Sequence, residues 1–565
     1  MNVTDNFYRR NDKWIVLLLL MLSCPLFLYK LGDRDIWAPN EDELVQVNRE
    51  MVLDGHWIYP TANGRAYSIK PPLFNWMGSA FSTLNGGVTE YTSRLPSAIA
   101  AAAGLLILYF LGRRLFGHRA ALLSALIIGT TPLYIQFGRW IQINMISTVL
   151  LTATLGLFYW GYTEERKRRL AYLLMYVPAG LGTLNMGLVN VAMPVIVICL
   201  YLIMVKDFKH IFRLKIGWGI LIYLAIVAPW YVMVSLRGGY AHHLIILTNF
   251  TRYFTGWTHV RPFYYYLGTT PPHFLPWFVY LPGAFYLCFS RRTKAEREQL
   301  FFAFVWVVGL FVFFSLSQTK RGPYVLPIFP AMALLVGYVI DRGMRAWDES
   351  LFWRRMIAWP TYAVFGILMA SGLGIAIYSA FLSTAWLFIV LPISFFLFFG
   401  TPVAFFLFRQ GKRMQAIVAV VMILVLSVAY GAGPVVAKKN EKESVKPFCL
   451  EVLHYVRSRE NLKMYRFYKP VYGVYTQRFV DVAMDTDTLA KWFDSKDPVY
   501  VVTREKQYFE IKDSFPQPIY IVIRKWIDHG FVLLISNRPA REIPPGPDLS
   551  GGKQEPNTRA GKGVG

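Results

Sequence analysis

Residues 14–29 read WIVLLLLMLSCPLFLY, an uncharged run with three cations, Arg9, Arg10 and Lys13, just ahead of it. A helix needs about 20 predominantly apolar residues to cross the roughly 30 Å hydrocarbon core of a bilayer. No small-residue cleavage site follows the run, so it reads as a retained signal anchor, not a removed signal peptide. Working outward, further apolar runs fall near residues 95–112, 120–137, 145–163, 170–186, 188–205, 216–236, 274–290, 299–317, 323–340, 358–380, 385–408 and 414–436. The sequence therefore predicts an α-helical polytopic membrane protein with about 13 spans.

Composition agrees with that reading. Of 565 residues, 55% are hydrophobic, 16% aromatic and only 16% charged, whereas a soluble domain carries about 25% charged residues. The formal net charge of +25 has a position as well as a size. If the N-terminus is cytoplasmic, the loops around 113–119, 166–169, 206–215, 291–297, 342–355 and 409–413 are cytoplasmic too, and every one is basic. With the N-terminal segment they hold about 25 of the 59 lysines and arginines. This is the positive-inside pattern, so the surplus is not a nucleic-acid patch. The four cysteines show no metal-ligand or disulfide spacing.

An odd number of spans places the C-terminal region outside. The expected organisation is a membrane domain over residues 1–437, with outer loops at 31–94 and 237–273. A small extracytoplasmic α/β domain follows over 438–540, then a disordered tail over 541–565. The small domain is inferred from short β-rich runs, Val499-Tyr500-Val501-Val502 and Ile519-Tyr520-Ile521-Val522-Ile523, after a helical pattern over Phe448 to Val456. The first outer loop is densely polar. Pro39 and Asn40 are helix-start residues, which puts Glu41, Asp42 and Glu43 in a first helical turn favoured by the helix dipole. Capping and solubility would explain such acids, as would a general base at the membrane surface. The outer loops also carry cations on the side that normally avoids them: Lys70 before Pro71 and Pro72, Arg139, Arg252, His259, Lys320 and Arg321. Each alone could be an interfacial anchor; their recurrence in separate loops points to phosphate.

The run Asp35-Ile36-Trp37-Ala38-Pro39-Asn40-Glu41, followed by Arg49-Glu50-Met51, Gly55-His56-Trp57, Asn63-Gly64, Lys70-Pro71-Pro72 and Arg94-Leu95-Pro96-Ser97, resembles bacterial membrane glycosyltransferases of the aminoarabinose transferase and protein O-mannosyltransferase kind. Pro229-Trp230-Tyr231, His259-Val260-Arg261-Pro262-Phe263, and Lys320 with Tyr324 extend the likeness. The resemblance implies a GT-C fold and a polyprenyl-phosphate sugar donor. It implies transfer on the outer face to a lipid, glycan or protein acceptor, in a bacterial inner membrane. In that family an Asp-Glu pair opens the first-loop helix, and basic outer-loop residues hold the lipid phosphate. Here the Asp position falls on Asn40 and the Glu on Glu41. A second acidic position falls on Asn144, and a lysine position falls on Met186 beside Gly187.

An amide does not accept a proton as a carboxylate does, which leaves three readings. Glu41, or its neighbours Asp42 and Glu43, serves as base; the acceptor needs little base help; or the chain is a catalytically impaired lipid-phosphate binder or accessory subunit. On the first reading Glu41, Asn40 and Asp42 are catalytic. Lys70, Arg139, Arg252, His259, Lys320 and Arg321 bind donor phosphate, and Asn144 and Tyr324 meet acceptor or sugar. No cofactor is required; a divalent metal is allowed at Glu41, Asp42 or His259 but demanded by no spacing. A transporter is disfavoured, because repeated halves are lacking.

Overall fold

The computed structural model describes residues 8, 10–37, 40–236, 253, 259–290, 293–456, 460–527 and 529–539. The chain divides into two compact units. The first comprises Met1–Asp33, Ser68–Gly78 and Tyr91–Ala437, and the second Arg34–Tyr67, Ser79–Glu90 and Lys438–Gly565.

The first unit is helical, and the chain is a multi-pass membrane protein. Among the described residues eight helices are long and apolar enough to span a bilayer, from Glu90–Phe116 to Arg413–Gly431. A ninth results if His118–Gly129 and Pro132–Arg139, bent by 66° at their junction, count as one. All thirteen apolar runs of the sequence fall on helices, but several are too short or broken to span by length and hydropathy alone, so the expected count of thirteen is not reached. Pro25 opens a π-helical turn, Cys24–Leu28, inside the first run. Val189–Met204 has 16 residues, about 24 Å at the helical rise. The sharp reversal before it rests on Gly187, whose φ of +85° suits a residue without Cβ.

Burial is uneven along the spans. The apolar window of Gly322–Arg345 is 89% buried and is the hub of the unit, while that of Ile216–Ser235 is 17% buried. Charges at the basic-loop ends are paired: Asp12 takes Arg113 at 2.5 Å and the Tyr109 hydroxyl at 2.5 Å, and buried Asp341 takes Arg119 at 3.2 Å and Arg345.

The second unit joins the polar first-loop helix to the C-terminal segment. Its sheet has strand order β4-β3-β5-β7-β6, built from β3 (Leu462–Tyr465), β4 (Val480–Ala483), β5 (Tyr500–Arg504), β6 (Tyr520–Ile527) and β7 (Gly530–Ser536). A two-residue ribbon, β1 (Thr61–Ala62) and β2 (Arg65–Ala66), stands apart from it. Strand β3 pairs in parallel with β4 and β5, while β7 runs antiparallel to β5 and β6. Parallel pairs need crossovers, supplied here by the short helices Pro470–Thr476 and Thr486–Phe493. The core is Leu489, Phe493, Val501, Leu533 and Ile535.

The ribbon turns on Asn63-Gly64, both with positive φ (+56° and +71°), the pairing that a two-residue hairpin loop favours. Glu50, one helix face away, receives the backbone N–H of Asn63 and, at 3.1 Å, that of Gly64. The Asn63 side chain then treats β4 as a neighbouring strand would: its Nδ2 donates to the Val480 carbonyl at 2.8 Å, and the Val480 N–H donates to its Oδ1 at 2.8 Å. Asn63→Ala removes both bonds and orphans two main-chain groups. It is expected to destabilise this unit by about 2–3 kcal/mol, read as a lower thermal midpoint; an unchanged midpoint would contradict the suture.

Candidate functional site

The helix Glu41–Asp54 starts from Asn40, which adopts a left-handed φ of +66° and is exposed. Pro39 lies outside the described residues. The three acids of the first turn have different surroundings. Glu41 is fully buried and accepts from Arg34 Nη2 at 2.5 Å. Arg34 lies 4.8 Å over the Trp37 ring, and the Trp37 indole N–H donates to Asn440 Oδ1 at 2.9 Å. The result is a chain of fixed contacts from the carboxylate back into the C-terminal segment. Asp42 is half-buried and accepts the Glu43 N–H at 3.0 Å. Burial pushes its carboxyl above the ordinary range, opposed by that N–H and by the Lys469 charge.

In the first unit the structure brings His259, Lys320 and Arg321 together. A single antiparallel bridge pairs Val260 with Thr319, and the Lys320 N–H donates to the His259 carbonyl at 3.1 Å. Lys320 is buried, and its ammonium donates to the carbonyls of Arg261 (3.0 Å) and Ser317. Burial lowers its proton affinity, and the carbonyls hold the charge in place. Arg321 Nη2 donates to His259 Nε2 at 2.6 Å on the exposed side of the bridge, which fixes the acceptor nitrogen of the imidazole. One cation is thus anchored in the backbone and a second, planar one faces outward, an arrangement suited to the oxygens of a phosphate.

The other expected phosphate ligands are placed differently. Arg139 donates to the carbonyls of Leu26 (3.1 Å), Tyr29 (2.8 Å) and Lys30 (3.4 Å), so it caps the end of the first apolar run. Lys70 is half-buried just ahead of the helix Leu73–Leu84. Arg252 lies outside the described residues.

Asn144 and Tyr324, expected at acceptor or sugar, line one small recess with Ser147, Met186, Phe314 and Pro327. The two sequence departures Asn144 and Met186 are therefore neighbours in space. Sequence reasoning passed over Ser147, Asn185 and Asn190 here. Polar residues inside an apolar run were the available signal. It also missed Arg34, whose only signal was its position seven residues before an acid. As for a metal, the group of described side chains close enough to share an ion is Glu50, Asp54 and His56. Glu50 is already engaged by Gln46 at 2.6 Å, Asn63 and Gly64.

The fold is that of the GT-C membrane glycosyltransferases. The crystal structure of ArnT from Cupriavidus metallidurans bound to undecaprenyl phosphate superposes with a TM-score of 0.79. It covers 93% of this chain and 98% of that one at 22% identity, a level that speaks for fold alone. In sequence, the family described as dolichyl-phosphate-mannose-protein mannosyltransferase matches residues 69–233. An undecaprenyl phosphate-alpha-4-amino-4-deoxy-L-arabinose arabinosyl transferase of Aeromonas salmonicida is 30% identical over 369 residues, 64% of this chain and 65% of that protein. A transferase 2 of the same description from Proteus mirabilis is 29% identical over 342 residues, 59% of this chain and 60% of that protein. The matched regions thus span less than two thirds of these relatives' length.

Proposed function

We propose that the chain is an integral membrane glycosyltransferase that moves a sugar from a polyprenyl-phosphate donor to a lipid, glycan or protein acceptor on the extracytoplasmic face. The observation that carries this reading is the His259–Lys320–Arg321 cluster, set in a fold shared with a protein solved holding undecaprenyl phosphate. The basic loops support a cytoplasmic N-terminus, and the likeness to bacterial transferases supports a bacterial inner membrane as its location. The unit carrying residues 438–540 then lies outside.

In the proposed reaction the acceptor oxygen attacks the anomeric carbon of the sugar and its proton passes to a carboxylate. The bond from that carbon to the phosphate oxygen breaks, and the lipid phosphate leaves with the electron pair. Arg321, Lys320 and His259, with Lys70 and Arg252 as further expected ligands, supply the positive field for the departing charge, while Arg139 stays bonded to the carbonyls that end the first apolar run. Glu41 is assigned as the carboxylate, oriented by Arg34. Asn40 positions the acceptor, and Asp42, with its raised proton affinity, is the alternative base. Asn144 and Tyr324 hold the sugar. The purified chain should retain undecaprenyl phosphate more than about tenfold better than undecaprenol; equal retention would remove the phosphate grip.

A second reading, a lipid-phosphate binder without transfer, is favoured by one observation: Glu41 is fully buried and already ion-paired, and the residue before it is an amide. Phosphate-selective binding with no sugar transfer from any donor would decide for it.

A further inference from the structure

We propose that a groove of the membrane unit holds one acyl chain of an anionic phospholipid, with the headgroup seated on the basic loop 206–215. The inference goes beyond sugar transfer and does not depend on it.

The groove lies among the helices Arg168–Met186, Val189–Met204 and Ile216–Ser235 and has a volume of about 380 Å³, within the range of formed ligand pockets. No charged side chain lines it among the described residues. The hydroxyls of its wall have partners of their own. Tyr176 donates to the Leu214 carbonyl at 3.2 Å, Tyr223 to Thr183 Oγ1 at 3.0 Å and Thr154 to the Leu150 carbonyl at 2.8 Å. The groove therefore offers its guest hydrocarbon, which suits a lipid chain and not a polar group. Its wall runs from Leu188 to Cys199, about 16 Å at the helical rise, close to half of the roughly 30 Å hydrocarbon core. That is the depth of one leaflet. Val195, Ile216 and Ile220 line the groove and are also exposed, so it opens sideways to the bilayer.

The loop 206–215 supplies the charge. Ile211 and Leu214 line the groove, while Lys206, Lys209, Arg213 and Lys215 are exposed beside them. The one acid of the loop, Asp207, meets His210 at 3.2 Å, and the other nitrogen of that imidazole meets the Tyr172 hydroxyl at 2.6 Å. With the Tyr176 bond to Leu214, these contacts hold the loop against the groove. Four cations beside an apolar slot complement a lipid with a net negative headgroup. The donor lipid is a poorer match. Its phosphate is assigned to Arg321, near Tyr324, and Tyr324 shares a recess with Val189 and Met193 in the first turns of Val189–Met204. The basic loop follows the other end of that helix, and one phosphate does not occupy both ends.

The test uses the purified chain in phosphatidylcholine vesicles with a trace of phosphatidylglycerol carrying a photoreactive diazirine on one acyl chain. Phosphatidylcholine with the same labelled chain is the matched probe. Label on peptides containing Pro194–Cys199 and Ile216–Tyr223 is expected to favour phosphatidylglycerol by about tenfold or more. Arg213→Gln/Lys215→Gln alters exposed side chains and should cut that preference to about threefold or less while labelling by phosphatidylcholine stays the same. Ala179→Trp fills the groove and should abolish the label. Equal labelling by the two lipids in the unaltered chain would overturn the proposal, as would undiminished labelling in a folded Ala179→Trp protein. Undecaprenyl phosphate displacing the probe better than unlabelled phosphatidylglycerol would also overturn it, by giving the groove to the donor's tail. Phosphatidylglycerol-selective labelling in a chain that transfers no sugar would support this inference and count against the glycosyltransferase reading alone.

Discussion

Replacing Arg321 with alanine is expected to lower sugar transfer by about 10²-fold or more, the usual consequence of deleting one preorganised donor from a site of developing negative charge. The side chain is the better target of the cluster because its removal should leave the fold intact. Lys320 is buried and ties two backbone carbonyls, so its loss would mix stability with function. Arg321 meets His259 on the exposed side. If the guanidinium acts on the leaving phosphate, kcat falls while KM changes little; if it only holds the resting donor, KM rises alone. Unaltered transfer and unaltered donor binding in a folded Arg321→Ala protein would remove the phosphate site from the account.

The second large effect is expected at Glu41, where two consequences must be separated. Its side chain is fully buried and that of Arg34 is 9% exposed, so Glu41→Gln leaves a buried guanidinium without its counter-charge. Breaking a buried pair on one side costs about 3 kcal/mol, visible as a lower thermal midpoint. A general base contributes about 10²-fold or more to the rate, so transfer should also fall by at least that factor. The double variant Arg34→Gln/Glu41→Gln removes both charges and is expected to recover most of the stability but none of the transfer. If transfer returns with stability, Glu41 is a structural anchor and the proton goes elsewhere. Asn40→Asp adds a carboxylate at the exposed start of the same helix and is expected to raise transfer; no change there would mean that the acceptor needs no second acid.

Local patterns carried some elements of the fold and long-range bonds carried others. Apolar runs identified the membrane helices because hydrophobicity is written residue by residue. The β-rich runs at 499–502 and 519–523 fell on β5 and β6 for the same reason. The number of spans was less legible, because the break at Pro132 and the π turn at Pro25 interrupt runs that composition treats as continuous. Nothing local announces that Asn63 will hold Val480, 417 residues away, so the first outer loop and the C-terminal segment read as separate pieces although they form one compact unit. At the candidate site the residue types were readable and their company was not. His259 and Arg321 are 62 residues apart in sequence. Asn144 and Tyr324 entered through a resemblance, not through spacing, and only the fold makes them neighbours. Arg139 has the right charge for a phosphate ligand, yet its guanidinium is bonded to the carbonyls that end the first apolar run.

The most direct measurement is transfer itself. The purified chain in lipid vesicles would be given undecaprenyl-phosphate donors labelled in the sugar, together with membrane lipids, glycans and proteins as acceptors, and labelled product would be separated from donor. Time-dependent labelled product, lost in Arg321→Ala and in Glu41→Gln, is the result expected. Donor bound selectively through its phosphate, with no label reaching any acceptor, would contradict the claim that this chain is an enzyme.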